Sequence, residues 1–257
     1  MTGKELLSLF IRGDRTALAR ILSIVENESP GFDAVLRQLN FSKKVPVIGI
    51  TGPPGAGKST LVDGLINFFV RRNSSIGVLA VDPSSPFHSG ALLGDRIRMS
   101  GHFTDPRVFI RSASSRGAMG GLCLQARDMT LVMQSFGFDR IFIETVGIGQ
   151  SETGIAEIAD LTVLVTTPGS GDEVQFMKSG VIEIADIIAI NKSDKPGAEI
   201  LEQSIIQSLR MTATGGSAFS GKNRRNKKNP VIVKTIANAG QGIEVLVNEI
   251  NIRMGET

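Results

Sequence analysis

Two kinds of hydrophobic pattern divide the chain. Over residues 1–44, Leu6, Leu7, Phe10 and Ile11, then Leu18, Ile21, Leu22 and Val25, recur at the spacing of apolar stripes on amphipathic helices. Asp14 and Arg15 separate the two stripes, and Ser29, Pro30 and Gly31 break the chain before a third short helix ending near Leu39. From Val45 onward the pattern changes to short β-branched runs: VPVIGIT, IGVLAVD, RVFI, DRIFIET, LTVLVT, DIIAINK and PVIVKT. Several are apolar at nearly every position, which is how strands covered on both faces of a parallel sheet read, and helical stretches separate them. The expected fold is α/β: a doubly wound, mostly parallel sheet formed by residues 45–257, preceded by an N-terminal helical segment of residues 1–44.

The first strand runs directly into Gly52, Pro53, Pro54, Gly55, Ala56, Gly57, Lys58, Ser59 and Thr60, and a helical run, LVDGLINFFV, follows. This is G-x-x-x-x-G-K-[ST] between a strand and a helix, the context in which the pattern forms a P-loop. Glycines let backbone N–H groups turn inward toward phosphate oxygens, and the following helix presents its positive end. Lys58 is placed to neutralise β and γ oxygens, and the Ser59 hydroxyl to ligate Mg²⁺.

The base is suggested by Asn191, Lys192, Ser193 and Asp194, which follow the strand DIIAI at the edge where open α/β sheets bind ligands. An Asp carboxylate there accepts from guanine N1–H and the 2-amino group. Adenine offers neither donor, so the same carboxylate would lose its partners against ATP. Asp82 ends IGVLAVD, Glu144 ends DRIFIET, and Asp95 lies in GALLGDRIRM. Carboxylates at strand ends bind Mg²⁺ directly or through water. The alternative is structural: Asp82 opening an Asp-Pro turn, and Glu144 pairing with a surface base.

The set GPPGAGKST, VDPSSP, GALLGDRIRM, RGAMGGL, ETVGIGQSET, GDEVQ and NKSD resembles the MeaB/ArgK branch of the SIMIBI-class P-loop GTPases, from about Arg12 to Asn251. The resemblance implies a GTPase that serves an adenosylcobalamin-dependent acyl-CoA mutase, methylmalonyl-CoA mutase above all, in cofactor loading and protection. It also implies GTP and GDP as substrate and product, Mg²⁺ as the metal, and Lys58, Asp95, Arg98 and Glu144 as the catalytic set. Ser59, Asp82, Asp95 and Glu144 would surround the metal. Asn191, Lys192 and Asp194, with Ile236, Ala237 and Asn238 after the last strand, would hold the base. Arg98 reads equally as a γ-phosphate contact or as a surface ion pair. Segments 117–122 and 147–152, Gln150 included, resemble those that rearrange with nucleotide. Ile236 stands where the family usually has Ser, a position at which the backbone rather than the side chain meets the base. Family members commonly continue past the final helix into a dimerising arm, so the end at Thr257 leaves a homodimer in doubt. Two rivals share the P-loop: a small-molecule kinase of the amino-acid transport type, and a nickel-delivery GTPase. The first needs an acceptor pocket and a base that no segment clearly supplies.

Composition narrows the rest. One Cys and two His rule out a disulfide within the chain and a His/Cys metal cluster, which weakens the nickel reading. The net charge of +3 rests on Lys222, Arg224, Arg225, Lys227 and Lys228. That run has no interleaved aromatics and reads as a solvated loop, so no nucleic-acid partner is expected. Cys123 reads as packing. No run is apolar for the roughly 18 residues that a membrane helix needs, and the N-terminus lacks a signal-peptide core, so the expectation is a cytoplasmic protein with no membrane partner.

Overall fold

The computed structural model describes residues 2–82, 99–114, 125–145, 154–169, 181–214 and 229–256. Three helices open the chain: α1 (Gly3–Ile11), α2 (Arg15–Glu26) and α3 (Phe32–Leu36). Thr2 and Glu5 form a capping box at the start of α1, and Asp14 caps α2 by accepting the Ala17 N–H at 2.7 Å. The third helix stops at Leu36 rather than near Leu39, because the Gln38 and Leu39 N–H groups bond three residues back and tighten the chain into a turn.

All seven apolar runs are strands: β1 (Val47–Thr51), β2 (Ile76–Asp82), β3 (Val108–Ser114), β4 (Arg140–Glu144), β5 (Leu161–Thr166), β6 (Ile187–Ile190) and β7 (Val231–Lys234). They form one parallel sheet in the order β3-β2-β4-β1-β5-β6-β7. Among the described residues, the α-helices after β1 are α4 (Lys58–Val70), α5 (Ala126–Phe136), α6 (Val181–Ile184), α7 (Ala198–Thr214) and α8 (Ile243–Met254). Side chains alternate between two apolar layers. Ile48, Ile50, Val78, Phe142, Val163 and Val165 pack with Leu61 and Leu65 of α4 and Leu246 of α8. On the other face, Val47, Leu79, Val81, Ile141 and Ile143 pack with Met129 and Val132 of α5.

The opening helices belong to that second layer. Leu6, Phe10, Leu18, Ile21 and Leu22 share its cluster, and burying each large side chain stabilises the fold by about 1.5–3 kcal/mol. Polar ties add direction: Arg15 Nη1 donates to Val108 O at 2.7 Å, and Arg111 of β3 pairs with Glu26 of α2.

Strand starts are fixed by a repeated device. Asp139, Asp160 and Asp186 immediately precede β4, β5 and β6, and their carboxylates accept the N–H of Ser75 (2.8 Å) just before β2, Val47 (3.0 Å) in β1 and Thr162 (2.8 Å) in β5. Each Asp also donates its own N–H back to the carbonyl of that same residue. These reciprocal pairs lock register where the strands begin. The opposite edge, where the strands end, carries the chemistry.

Candidate nucleotide site

Between β1 and α4 the backbone takes a path open only to glycine. Gly52 has φ +141°, and a Cβ there would lie 2.0 Å from Val165 O on the paired strand β5. Gly57, at φ +91°, caps α4, and a Cβ would lie 2.4 Å from Asn191 Nδ2. Lys58 then begins the helix. Its ammonium is buried and donates to Gly52 O at 2.7 Å and Pro53 O at 3.1 Å, so it is curled over the carbonyls of its own loop.

Ser59 Oγ donates to Glu144 Oε1 at 2.7 Å, with both residues buried. The register places Glu144 opposite Ile50 of β1 and Ala80 of β2. A hydroxyl and a carboxylate are hard oxygen donors of the kind Mg²⁺ selects. The donor set therefore fits Mg²⁺. Among the described residues no group of three or more His, Cys, Asp or Glu could hold a metal. Asp82 ends β2 two positions beyond Ala80, farther toward the same edge. Asp95, Arg98, Gln150, Cys123, the segments 117–122 and 147–152, and the basic run at 222–228 lie outside the described residues.

On the other side of the P-loop, Asn191 leaves β6 and joins three pieces of chain. Its Nδ2 donates to Ala56 O at 2.8 Å, while its Oδ1 accepts from Ala237 N at 3.0 Å and Thr235 Oγ1 at 3.2 Å. Lys192 adopts φ +54°, and its Nζ donates to Gly55 O at 2.7 Å. Ser193 donates through N and Oγ to Thr235 O, each at 3.1 Å. The phosphate loop, the segment after β6 and the segment after β7 are thus one hydrogen-bonded unit. Asp194 is exposed at its rim, Ile236 is half-buried, Ala237 is buried and Asn238 is exposed. The sequence reading missed Thr235, which has no distinguishing pattern around it, and the Thr145 to Thr51 hydroxyl contact of 3.1 Å behind the loop.

The family profile described as Methylmalonyl Co-A mutase-associated GTPase MeaB matches residues 18–254. The chain belongs to the MeaB family. A protein of Pyrococcus horikoshii is 43% identical over 247 residues, 96% of this chain and 76% of its own length. The GTPase ArgK of Escherichia coli is 38% identical over 71% of this chain and 57% of its own length. The mouse methylmalonic aciduria type A homolog, mitochondrial, is 38% identical over 76% of this chain and 46% of its own. Among solved structures, a LAO/AO transport system kinase superposes with a TM-score of 0.70 at 25% identity, covering 99% of this chain and 76% of that one. The hydrogenase maturation factor HypB of Archaeoglobus fulgidus, at 16% identity and TM-score 0.52, shares the fold alone. MeaB-family membership implies GTP and GDP binding. No helix among the described residues is long and apolar enough to cross a membrane.

Proposed function

We propose that the chain hydrolyses GTP to GDP and phosphate in the presence of Mg²⁺, and that the cycle serves as a chaperone switch for an adenosylcobalamin-dependent acyl-CoA mutase. Methylmalonyl-CoA mutase is the first candidate partner, in cofactor loading and protection. The family description and the mouse relative's name support the choice of partner. The observation that carries the nucleotide reading is the joining, at one sheet edge, of the Lys58 loop and the Ser59–Glu144 pair to the Asn191 segment that leads to Asp194.

In this reading Lys58 exchanges the Gly52 and Pro53 carbonyls for β and γ phosphate oxygens, which are stronger acceptors because they are charged. The P-loop amides and the first turn of α4 face the same oxygens. Ser59 and Glu144 hold Mg²⁺, which when bound supplies further neutralisation of phosphate charge. Water attacks the γ phosphorus in line, the bond to the β–γ bridging oxygen breaks, and Lys58 and the loop amides stabilise the charge that collects there. Asp194 accepts from guanine N1–H and the 2-amino group, while Asn191 and Lys192 hold its loop against the phosphate loop. Asp82, Asp95 and Arg98 complete the proposed γ-phosphate surroundings, and a cytoplasmic setting goes with this reading.

Two experiments test it. Thermal shifts with GDP and with ADP should differ, with stabilisation by the guanine nucleotide alone; equal shifts favour a kinase-type site instead. Copurification with candidate cobalamin mutases, followed by GTP turnover with and without the captured partner, tests the switch. Turnover unaffected by every such mutase removes the chaperone role.

A further inference from the structure

The connection that leads into β3 runs alongside the P-loop helix. Met99 is fully buried in the apolar cluster that also holds Leu61, Leu65 and Ile66 of α4. The His102 N–H donates to Met99 O, the Asp105 N–H to His102 O, and the Val108 N–H to Asp105 O, each at 3.1 Å. Two side chains of this staircase reach α4. His102, whose side chain is 8% exposed, places Nε2 2.9 Å from Asp63 Oδ1, and Arg107 Nη1 donates to Val70 O at 2.9 Å where the helix ends. A carboxylate only accepts, so the imidazole proton facing Asp63 sits on Nε2. The other Asp63 oxygen accepts from Asn67 Nδ2 at 3.1 Å.

Asp63 follows Ser59 by four residues, one turn along the same side of α4. Ser59 is the residue whose hydroxyl meets Glu144. Apolar contacts hold α4 to the sheet, but they are non-directional and permit a helix to roll or slide slightly. A hydrogen bond to a buried imidazole one turn below Ser59 does not. Met99 and Arg107 keep the staircase that carries His102 close to the helix at two further points.

We propose that His102 is a positioning residue of the phosphate site: through Asp63 it fixes the rotation of the P-loop helix and so the approach of Ser59 Oγ to Glu144. This rests on the reading of Ser59 and Glu144 as Mg²⁺ ligands. Its effect falls on the metal-dependent part of nucleotide binding, which a merely structural histidine would not single out.

The test is GDP affinity of the full chain, measured by titration calorimetry in Mg²⁺ and in EDTA. His102→Leu removes the donor at similar volume, His102→Gln keeps a donor, and Asp63→Ala removes the acceptor. Expected is a loss of about tenfold in Mg²⁺ for His102→Leu, the size of one hydrogen bond to a charged group, with affinity in EDTA unchanged. Asp63→Ala should give the same loss, the double variant no more than either single one, and His102→Gln should recover most of it. A Mg²⁺ enhancement equal to wild type in a folded His102→Leu, or additive losses in the double variant, overturns the positioning role alone. If His102→Leu does not fold, Asp63→Ala and His102→Gln decide in the same way. A wild-type affinity indifferent to Mg²⁺ overturns the metal reading, and the proposal with it.

Discussion

Replacing Asn191 by Ala removes a residue that is 2% exposed and that makes hydrogen bonds of 2.8 Å to Ala56 O, 3.0 Å from Ala237 N and 3.2 Å from Thr235 Oγ1. A neutral hydrogen bond contributes about 1 kcal/mol net, so three amount to a loss of roughly 3 kcal/mol, more where a buried group stays unpaired. At about 2–4 °C per kcal/mol for a chain of this size, Tm should fall by roughly 6–12 °C. Asn191→Asp separates the contributions. It keeps an oxygen for Ala237 and Thr235 but sets the second oxygen against Ala56 O, where Nδ2 donates at 2.8 Å. Only the tie to the phosphate loop is lost, and repulsion replaces it. Both variants should bind GDP about tenfold more weakly or worse, because the segment carrying Asp194 loses its buried tie to the segment carrying Lys58, and the Lys192 bond to Gly55 O that remains is exposed. Melting followed by circular dichroism and titration with GDP are the assays. An Asn191→Ala variant with wild-type Tm and wild-type GDP affinity would show that these bonds do not hold the site together.

Two further outcomes follow from the geometry. Gly52→Ala must accommodate a Cβ 2.0 Å from Val165 O at φ +141°, between strands already paired, so it should cost at least about 4 kcal/mol; a urea midpoint near that of wild type contradicts the account of the loop. Arg107 donates to Asp105 through Nε and Nη2, and these bonds hold the Asp105 carboxyl at about 2, below its ordinary 3.8. A lowered carboxyl pKa gives stability that is present above the ordinary value and lost as pH falls through the lowered one. The stability gap between wild type and Asp105→Asn should therefore shrink between about pH 5 and about pH 2, and a constant gap in urea titrations contradicts it.

What was legible in the sequence depended on the range of the interaction. Strands covered on both faces announce themselves as unbroken apolar runs, so all seven were readable, and the P-loop is contiguous from Gly52 to Thr60. Asp139 and Asp186 stood at the head of their runs, yet their role as acceptors for the neighbouring strand depends on which strands are adjacent, which is a property of topology. The docking of α1 and α2 into the core of the sheet was hidden for the same reason. The apolar stripe holding Leu18 and Ile21 shows that a face is buried, but not that it packs with α5 and β3. At the site, residue types pointed to Ser59, Glu144 and Asn191, while the bonds that join them span 85 residues for Ser59 and Glu144 and 135 for Asn191 and Ala56. Asp63 and His102 carried no pattern at all, because a lone His and an Asp within an amphipathic helix are ordinary in any globular chain.

In the proposed reading, this sheet edge hydrolyses GTP through the Lys58 loop. The most direct test is phosphate release by purified wild type and Lys58→Ala, with GTP and ATP supplied in parallel and Mg²⁺ present. Expected is release from GTP alone by the wild type, with a loss of at least about a hundredfold in Lys58→Ala while the fold is retained. Equal release from GTP and ATP, or a Lys58→Ala variant that turns over GTP like wild type, would contradict it.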